Sequence, residues 1–283
     1  MDLLEKEYQL ALFRAKSHYE NFPVISLFLP KKIRKHVAII YKFARTADDF
    51  ADEVIFENQN RLYLLDEYQQ NFINAINGNY NDVFWQTLVN TISIFNLPPQ
   101  LFIDLLTAFK QDLIKKEYSN FEELLGYCKN SANPIGRLIL RLHGINNEEA
   151  DNYSDKICTA LQLANFWQDI SVDIKKDRVY LPISDITKFN YSILELYNST
   201  YNNSFISLME YQIKNTERMF YEGAKLLKFL PLRLKFQIKL TILGGLTILD
   251  KIKKNEYNVV INRPTIDKKD VIYILLKSFI WMK

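Results

Sequence analysis

The sequence predicts an all-α protein, and three observations carry that prediction. Only 7 glycines and 8 prolines interrupt 283 residues, 48% of the residues are apolar, and no run of short alternating strands with hairpin turns occurs. Sparse breakers in an apolar chain leave room for long helices. They divide the sequence into helices at about 3–20, 31–53, 58–77, 81–95, 99–116, 121–130, 134–143, 147–173, 204–228, 231–254 and 267–281. Pro30 stands immediately before the second helix, and Asn77-Gly78-Asn79 makes the turn after the third. Pro98-Pro99 opens the fifth, and Pro134, after Asn133, opens the seventh. The stretch from Val271 to Met282 is apolar and aromatic but short and broken by Lys277. It reads first as a core helix and second as a helix lying at a membrane surface, since it is too short to span one. With no Gly/Ser-rich linker, no shift in composition and no internal repeat, residues 1–283 read as a single domain.

Charge and cysteine content narrow the function. Lys plus Arg number 36 against 33 for Asp plus Glu, a net charge of +3 that is small and interspersed. That argues against a nucleic-acid surface and leaves anionic small molecules open. Cys128 and Cys158 have neither the spacing of a zinc site nor that of a disulfide framework. His18, His36 and His143 share no metal-site spacing and read as surface or capping residues. The start of the chain carries Asp2, Glu5 and Glu7 where an export signal would be basic and then apolar. No stretch approaches 18 apolar residues, so the expected setting is the cytoplasm, with peripheral membrane contact left open.

Two acidic clusters stand out, Asp48-Asp49-Phe50-Ala51-Asp52-Glu53 and the stretch from Asn165 to Asp173. On an α-helix, residues four apart share a face at roughly 6 Å. Asp48 with Asp52, and Asn165 with Asp169 and Asp173, therefore form oxygen stripes. Hard oxygen donors of this kind suit Mg²⁺, with Mn²⁺ as an alternative, and Mg²⁺ commonly bridges one or two carboxylates to substrate phosphates. Apolar neighbours surround both stripes: Tyr41, Phe43, Ala44 and Phe50 at the first, and Leu161, Ala164, Phe166, Trp167, Ile170 and Val172 at the second. These helices are expected to be largely buried. Buried carboxylates are costly unless paired or metal-bound, so the two stripes read as walls of a magnesium diphosphate site.

The stretch from Tyr41 to Glu53 resembles the first aspartate-rich motif of the squalene and phytoene synthases. Asn165 to Asp173, followed by Arg178-Val179-Tyr180-Leu181-Pro182, resembles the second. Between them, Tyr127 to Leu138 is similar to the segment that carries an active-site tyrosine in that family. The similarity runs from about residue 10 to residue 270, and it implies an isoprenoid-synthase helical bundle around a central diphosphate cavity. Asn21-Phe22-Pro23-Val24, Asn133-Pro134 and Asn165 to Asp169 are most similar to the bacterial hydroxysqualene synthase branch, which hydrates presqualene diphosphate. Most relatives carry Ser-x-Ser-Phe near the N-terminus and an arginine just before the aspartate of the second motif. Here Tyr19-Glu20-Asn21-Phe22 and Gln168 stand in those places. Two hydroxyl donors and one guanidinium for gripping diphosphate are thus replaced, which fits an enzyme that ionises one diphosphate rather than two.

The resemblance implies that Asp48, Asp52, Asn165, Asp169 and Asp173 hold Mg²⁺ on the diphosphate. Arg45, on the turn before Asp48, is expected either to contact the departing oxygens or to pair with Asp49 or Glu53. Tyr41, Phe43, Phe22, Phe166 and Trp167 offer π faces to a carbocation, although aromatic residues at helical spacing are more often plain core. Tyr127 is expected to be the polar group inside the pocket, with Gln162 and Asn21 as further hydrogen-bond donors. Arg263 and Tyr257 are candidates to close the site from the C-terminal side, and the segment 178–182 is expected to fold over its mouth. No dinucleotide fingerprint occurs, so NADPH use is not expected. Two other functions fit the sequence: a head-to-head synthase condensing two farnesyl or geranylgeranyl diphosphates, and a non-catalytic helical assembly factor.

Overall fold

The computed structural model describes residues 2–17, 29–52, 58–80 and 82–281. The helices are α1 (Leu3–Ser17), α2 (Lys31–Asp52), α3 (Asn58–Ile76), α4 (Val83–Phe95), α5 (Pro99–Ile114), α6 (Phe121–Ser131), α7 (Asn133–Leu142), α8 (Glu148–Asp173), α9 (Ile183–Lys188), α10 (Ile193–Tyr197), α11 (Asn203–Gly223), α12 (Leu232–Lys254) and α13 (Lys268–Ile280). Among the described residues, extended pairing is limited to one parallel bridge between Glu117 and Val179. The all-α expectation holds, with two short helices, α9 and α10, added where no periodic pattern predicts them. Contacts group the chain into two compact units, Met1–Ile114 with Pro134–Asn147 and Lys115–Asn133 with Glu148–Lys283.

In the first unit, buried Ile39, Phe43, Ala47 and Ala51 recur every four residues along α2 and fix which face meets the core. Phe43 sits at its centre, with ring centroids 5.3 Å from Tyr68, 5.4 Å from Phe72 and 5.2 Å from Phe102. Lys42–Glu7 at 2.5 Å and Lys35–Glu5 at 2.6 Å tie α2 to α1.

His36 departs from the surface role expected for it, being buried between the rings of Tyr8 and Phe95. Its Nδ1 lies 2.9 Å from Thr91 Oγ1, which lies 2.7 Å from the Tyr8 hydroxyl. Burial therefore pushes the His36 pKa down to about 4. The unfolded chain binds this proton near pH 6.5 and the folded chain only near 4, so the associated stability is complete above 6.5 and drains away as pH falls towards 4. The expected loss is about 2 kcal/mol between pH 7 and pH 5. Urea unfolding at the two pH values checks it, with His36→Leu flattening the difference.

The second unit is organised by α8, which packs on α11, α12 and α6. Trp167 is fully buried, and its Nε1 donates to Thr216 Oγ1 at 2.9 Å. Thr216 in turn donates to the Gln212 carbonyl at 2.9 Å, and Gln212 Nε2 donates to Asp185 Oδ2 at 2.7 Å. At the end of α11, Gly223 lies so close to α8 that an added Cβ would sit 2.7 Å from Ile157 Cγ1 and 3.0 Å from both Ile157 N and the Tyr153 carbonyl oxygen. Backbone atoms cannot swing aside. Gly223→Ala is accordingly expected to destabilise by about 1–3 kcal/mol, offset in part by a helix-propensity gain of up to ~1 kcal/mol, read as a lowered melting midpoint.

Two further expectations change. Val172, expected among the buried flank of the second acidic stripe, is exposed. The C-terminal stretch is a helix, α13, but not a core helix: Ile274 and Ser278, one turn apart, are its buried residues, while most of its large apolar side chains face outward. Neither cysteine is in a disulfide, and burial pushes the Cys128 thiol up to about 12.

Candidate functional site

The first acidic stripe occupies the last two turns of α2. At 100° per residue, Tyr41, Arg45, Asp48 and position 52 fall on the side opposite the buried stripe of Phe43, Ala47 and Ala51. Tyr41, Arg45 and Asp48 are half-buried there, and Asp49 is exposed. Arg45 forks between its neighbours, Nη1 at 3.0 Å from Asp48 Oδ2 and Nη2 at 2.8 Å from Asp49 Oδ1. Burial works against the guanidinium charge, and Asp48 and Asp49 more than offset it, so the Arg45 pKa lies above its ordinary value. Of the two partners anticipated for Arg45, Asp49 is realised and Glu53 falls outside the described residues. Arg61 from α3 donates Nη1 to the Ala51 carbonyl at 2.8 Å, satisfying an acceptor at the helix end; no sequence spacing links it to the stripe.

The second stripe lies on α8. Asn165, Asp169 and Asp173 are half-buried, while Phe166, Trp167, Gln168 and Ile170 beside them are buried. Gln162 is half-buried one turn before Asn165. Arg263 grips Asp169, Nε to Oδ1 at 2.5 Å and Nη2 to Oδ2 at 3.3 Å. The neighbouring Gln168 donates Nε2 to the Pro264 carbonyl at 2.7 Å, which anchors the segment that presents Arg263. A guanidinium, absent at position 168, thus stands beside Asp169 from position 263. Tyr257 sits in the turn that ends α12, at a positive φ of 65°.

Beyond Asp173 the chain turns at Asp177 (φ 57°) and runs against residues 116–119. Val179 N donates to the Lys116 carbonyl at 2.8 Å, and Ile183 N to the Tyr118 carbonyl at 2.9 Å. This pairing lays Tyr180 flat on Phe166, centroids 3.7 Å apart and planes 8° from parallel. Buried Tyr127 lies 6.0 Å from both rings and 5.7 Å from Tyr118. The result is an aromatic wall of Phe166, Tyr180, Tyr127 and Tyr118. A cavity of about 10 Å³, the size of one water, is lined by Phe166, Ile170, Asp173, Arg178 and Tyr180 among others. Tyr118 was missed from sequence because its partners are far away in the chain. Asn21 and Phe22 lie outside the described residues.

Both stripes occur at the C-terminal end of their helix, and neither last turn contains a basic residue. Carboxylates there oppose the helix macrodipole, an arrangement that favours recruitment of a cation from elsewhere. Asp48, Asn165, Asp169 and Asp173 are hard oxygen donors that fit Mg²⁺. Among the described residues no three His, Cys, Asp or Glu side chains close into an ion cage.

A model of the squalene/phytoene synthase family matches residues 15–270. The hydroxysqualene synthase of Sinorhizobium fredii is 30% identical over 241 residues, 84% of this chain and 80% of that protein. The crystal structure of squalene synthase HpnC from Alicyclobacillus acidocaldarius matches with a TM-score of 0.85 at 34% identity, covering 90% of this chain and 96% of the other. A dehydrosqualene synthase crystallised with a ligand shares the fold at a TM-score of 0.84 and 21% identity, covering 99% and 97%.

Proposed function

The chain belongs to the squalene/phytoene synthase family, and from that premise we propose that it ionises presqualene diphosphate and captures the resulting cation with water to give hydroxysqualene. It is an enzyme of isoprenoid biosynthesis, and its family acts on prenyl diphosphates. The non-catalytic assembly role is therefore set aside. One observation carries the reading: the oxygen stripe of α8 adjoins the aromatic wall, so a polar grip and an apolar π-rich surface share one helix.

In this reading the C–O bond to diphosphate breaks and the electron pair leaves with the anion. Mg²⁺ held by Asp48 and Asp52 on one stripe, and by Asn165, Asp169 and Asp173 on the other, would neutralise the leaving group. Arg45 and Arg263, already resting on carboxylates, supply guanidinium donors to the departing oxygens, and Gln162 and Asn21 add hydrogen bonds. Phe166 and Tyr180 offer π faces to the cation, worth roughly 0.5–2 kcal/mol each when desolvated; Phe22 and Tyr41 are assigned the same role. Tyr127 directs a single water, whose oxygen forms the new C–O bond and whose proton passes to the released diphosphate. Nothing in the reaction calls for a hydride, so no NADPH is needed.

The test is incubation of the purified protein with Mg²⁺ and presqualene diphosphate, in parallel with farnesyl diphosphate alone, and identification of products by mass. Hydroxysqualene from the first substrate only is the expected result. A thirty-carbon product from farnesyl diphosphate would replace the proposal with a condensing synthase, and no product from either would overturn both.

A further inference from the structure

We propose that the outward face of α13 is a docking surface for an anionic lipid bilayer, on which the helix lies flat. Val271, Ile272, Leu275, Leu276, Phe279 and Ile280 are between 38% and 70% exposed. At 100° per residue they cover one continuous half of the helix, and the buried Ile274 and Ser278 lie together on the other half. A scattered apolar residue needs no explanation, but six large ones on one face of one helix mark an interaction surface. The helix cannot cross a bilayer, since no helix among the described residues is long and apolar enough. An amphipathic helix with an apolar stripe and basic flanks instead settles at the headgroup boundary.

Charge selects a bilayer over a second copy of the chain. Exposed Lys268 and Lys269 flank the stripe at its start. At its far end α12 lies alongside, with Phe236 5.5 Å from Phe279 and Lys239 Nζ donating to the Trp281 carbonyl at 2.8 Å. The first turn of α12 exposes Leu232 and Arg233, and half-buried Lys235 follows. The nearby acids, Asp267 and Asp270, are both turned to Lys251. Both ends of the stripe are thus basic, so a twofold self-contact would set like charges together, whereas an anionic surface meets complementary charge at each end. Tyr273 and Trp281 add the amphipathic rings favoured at that depth. The proposal stands on α13 alone and does not depend on which prenyl diphosphate is the substrate.

The experiment uses the full chain with vesicles of phosphatidylcholine alone and of phosphatidylcholine with an equal part of phosphatidylglycerol. Co-sedimentation is expected with the anionic vesicles and is expected to weaken with salt. Trp281 is the reporter, because Trp85 and Trp167 are buried; brominated lipid should quench it. Leu276→Asp with Ile280→Asp, at exposed positions that leave the Phe236–Phe279 contact in place, should lower partitioning roughly a hundredfold without lowering the melting temperature. Lys268→Glu with Lys269→Glu should cost about thirtyfold or more, on anionic vesicles only. The idea is overturned if the unaltered protein fails to bind, or if the aspartate variant binds equally well. It is also overturned if light scattering shows a dimer that the aspartate variant splits while neither form binds vesicles.

Discussion

Asp169→Asn is expected to lower turnover about a thousandfold while leaving the protein folded. Asp169 is the middle residue of the α8 stripe, one turn from Asn165 and one turn from Asp173, so its loss interrupts any ion held along that face. Electrostatic assistance from a metal is worth several kcal/mol, and each 1.36 kcal/mol is tenfold in rate; a loss of ~4 kcal/mol gives the thousandfold figure. The substitution is nearly isosteric and removes a partly exposed ion pair with Arg263, which contributes about 0–1 kcal/mol to stability. Single-turnover consumption of presqualene diphosphate, measured beside a thermal melt of the same sample, separates the two effects. Activity within tenfold of the parent would remove Asp169 from the metal set.

Trp167→Ala is expected to give the largest loss of stability, about 3–5 kcal/mol. Trp167 is 0% exposed and packs inside the second unit. Its indole donates to Thr216 Oγ1, yet Thr216 keeps a partner without it by donating to the Gln212 carbonyl. The cost therefore measures the cavity more than an orphaned polar group. Chemical unfolding followed by circular dichroism checks the value, and a loss below about 1 kcal/mol would mean that α8 and α11 collapse into the space. Trp167→Phe, which keeps most of the volume, should recover the greater part.

Much of the fold was legible because helix boundaries are written locally. Pro30, Pro99 and Pro134 stand at or next to helix starts, and Gly78, at φ 86°, closes the turn predicted for it. The two stripes were legible for the same reason, since four-residue spacing on a helix needs no distant information. α9 and α10 were not, because helices of one or two turns carry no period. A local sign did exist for α10, where Ser192 and Glu195 form a capping box.

What stayed hidden depends on partners far apart in sequence. His36 became a core residue because Thr91 and Tyr8 satisfy it; Arg263 was a candidate from sequence, but its pairing with Asp169, made where Gln168 holds Pro264, was not. The orientation of α13 was hidden for another reason: an apolar stretch reads alike whether its sides are covered or bare, and only the neighbours decide.

The link between α5 and α6 would pass for an ordinary spacer, yet its backbone carbonyls at Lys116 and Tyr118 receive Val179 and Ile183. It acts as a template, and its length sets the register of whatever lies against it. A single inserted residue between Lys116 and Tyr118 would displace one of those carbonyls by a full residue while leaving every helix whole. Phe166 would then lose the ring that now covers it. Surface loops commonly absorb insertions; this one is measured to length, and variation in it should be read as variation in the aromatic wall.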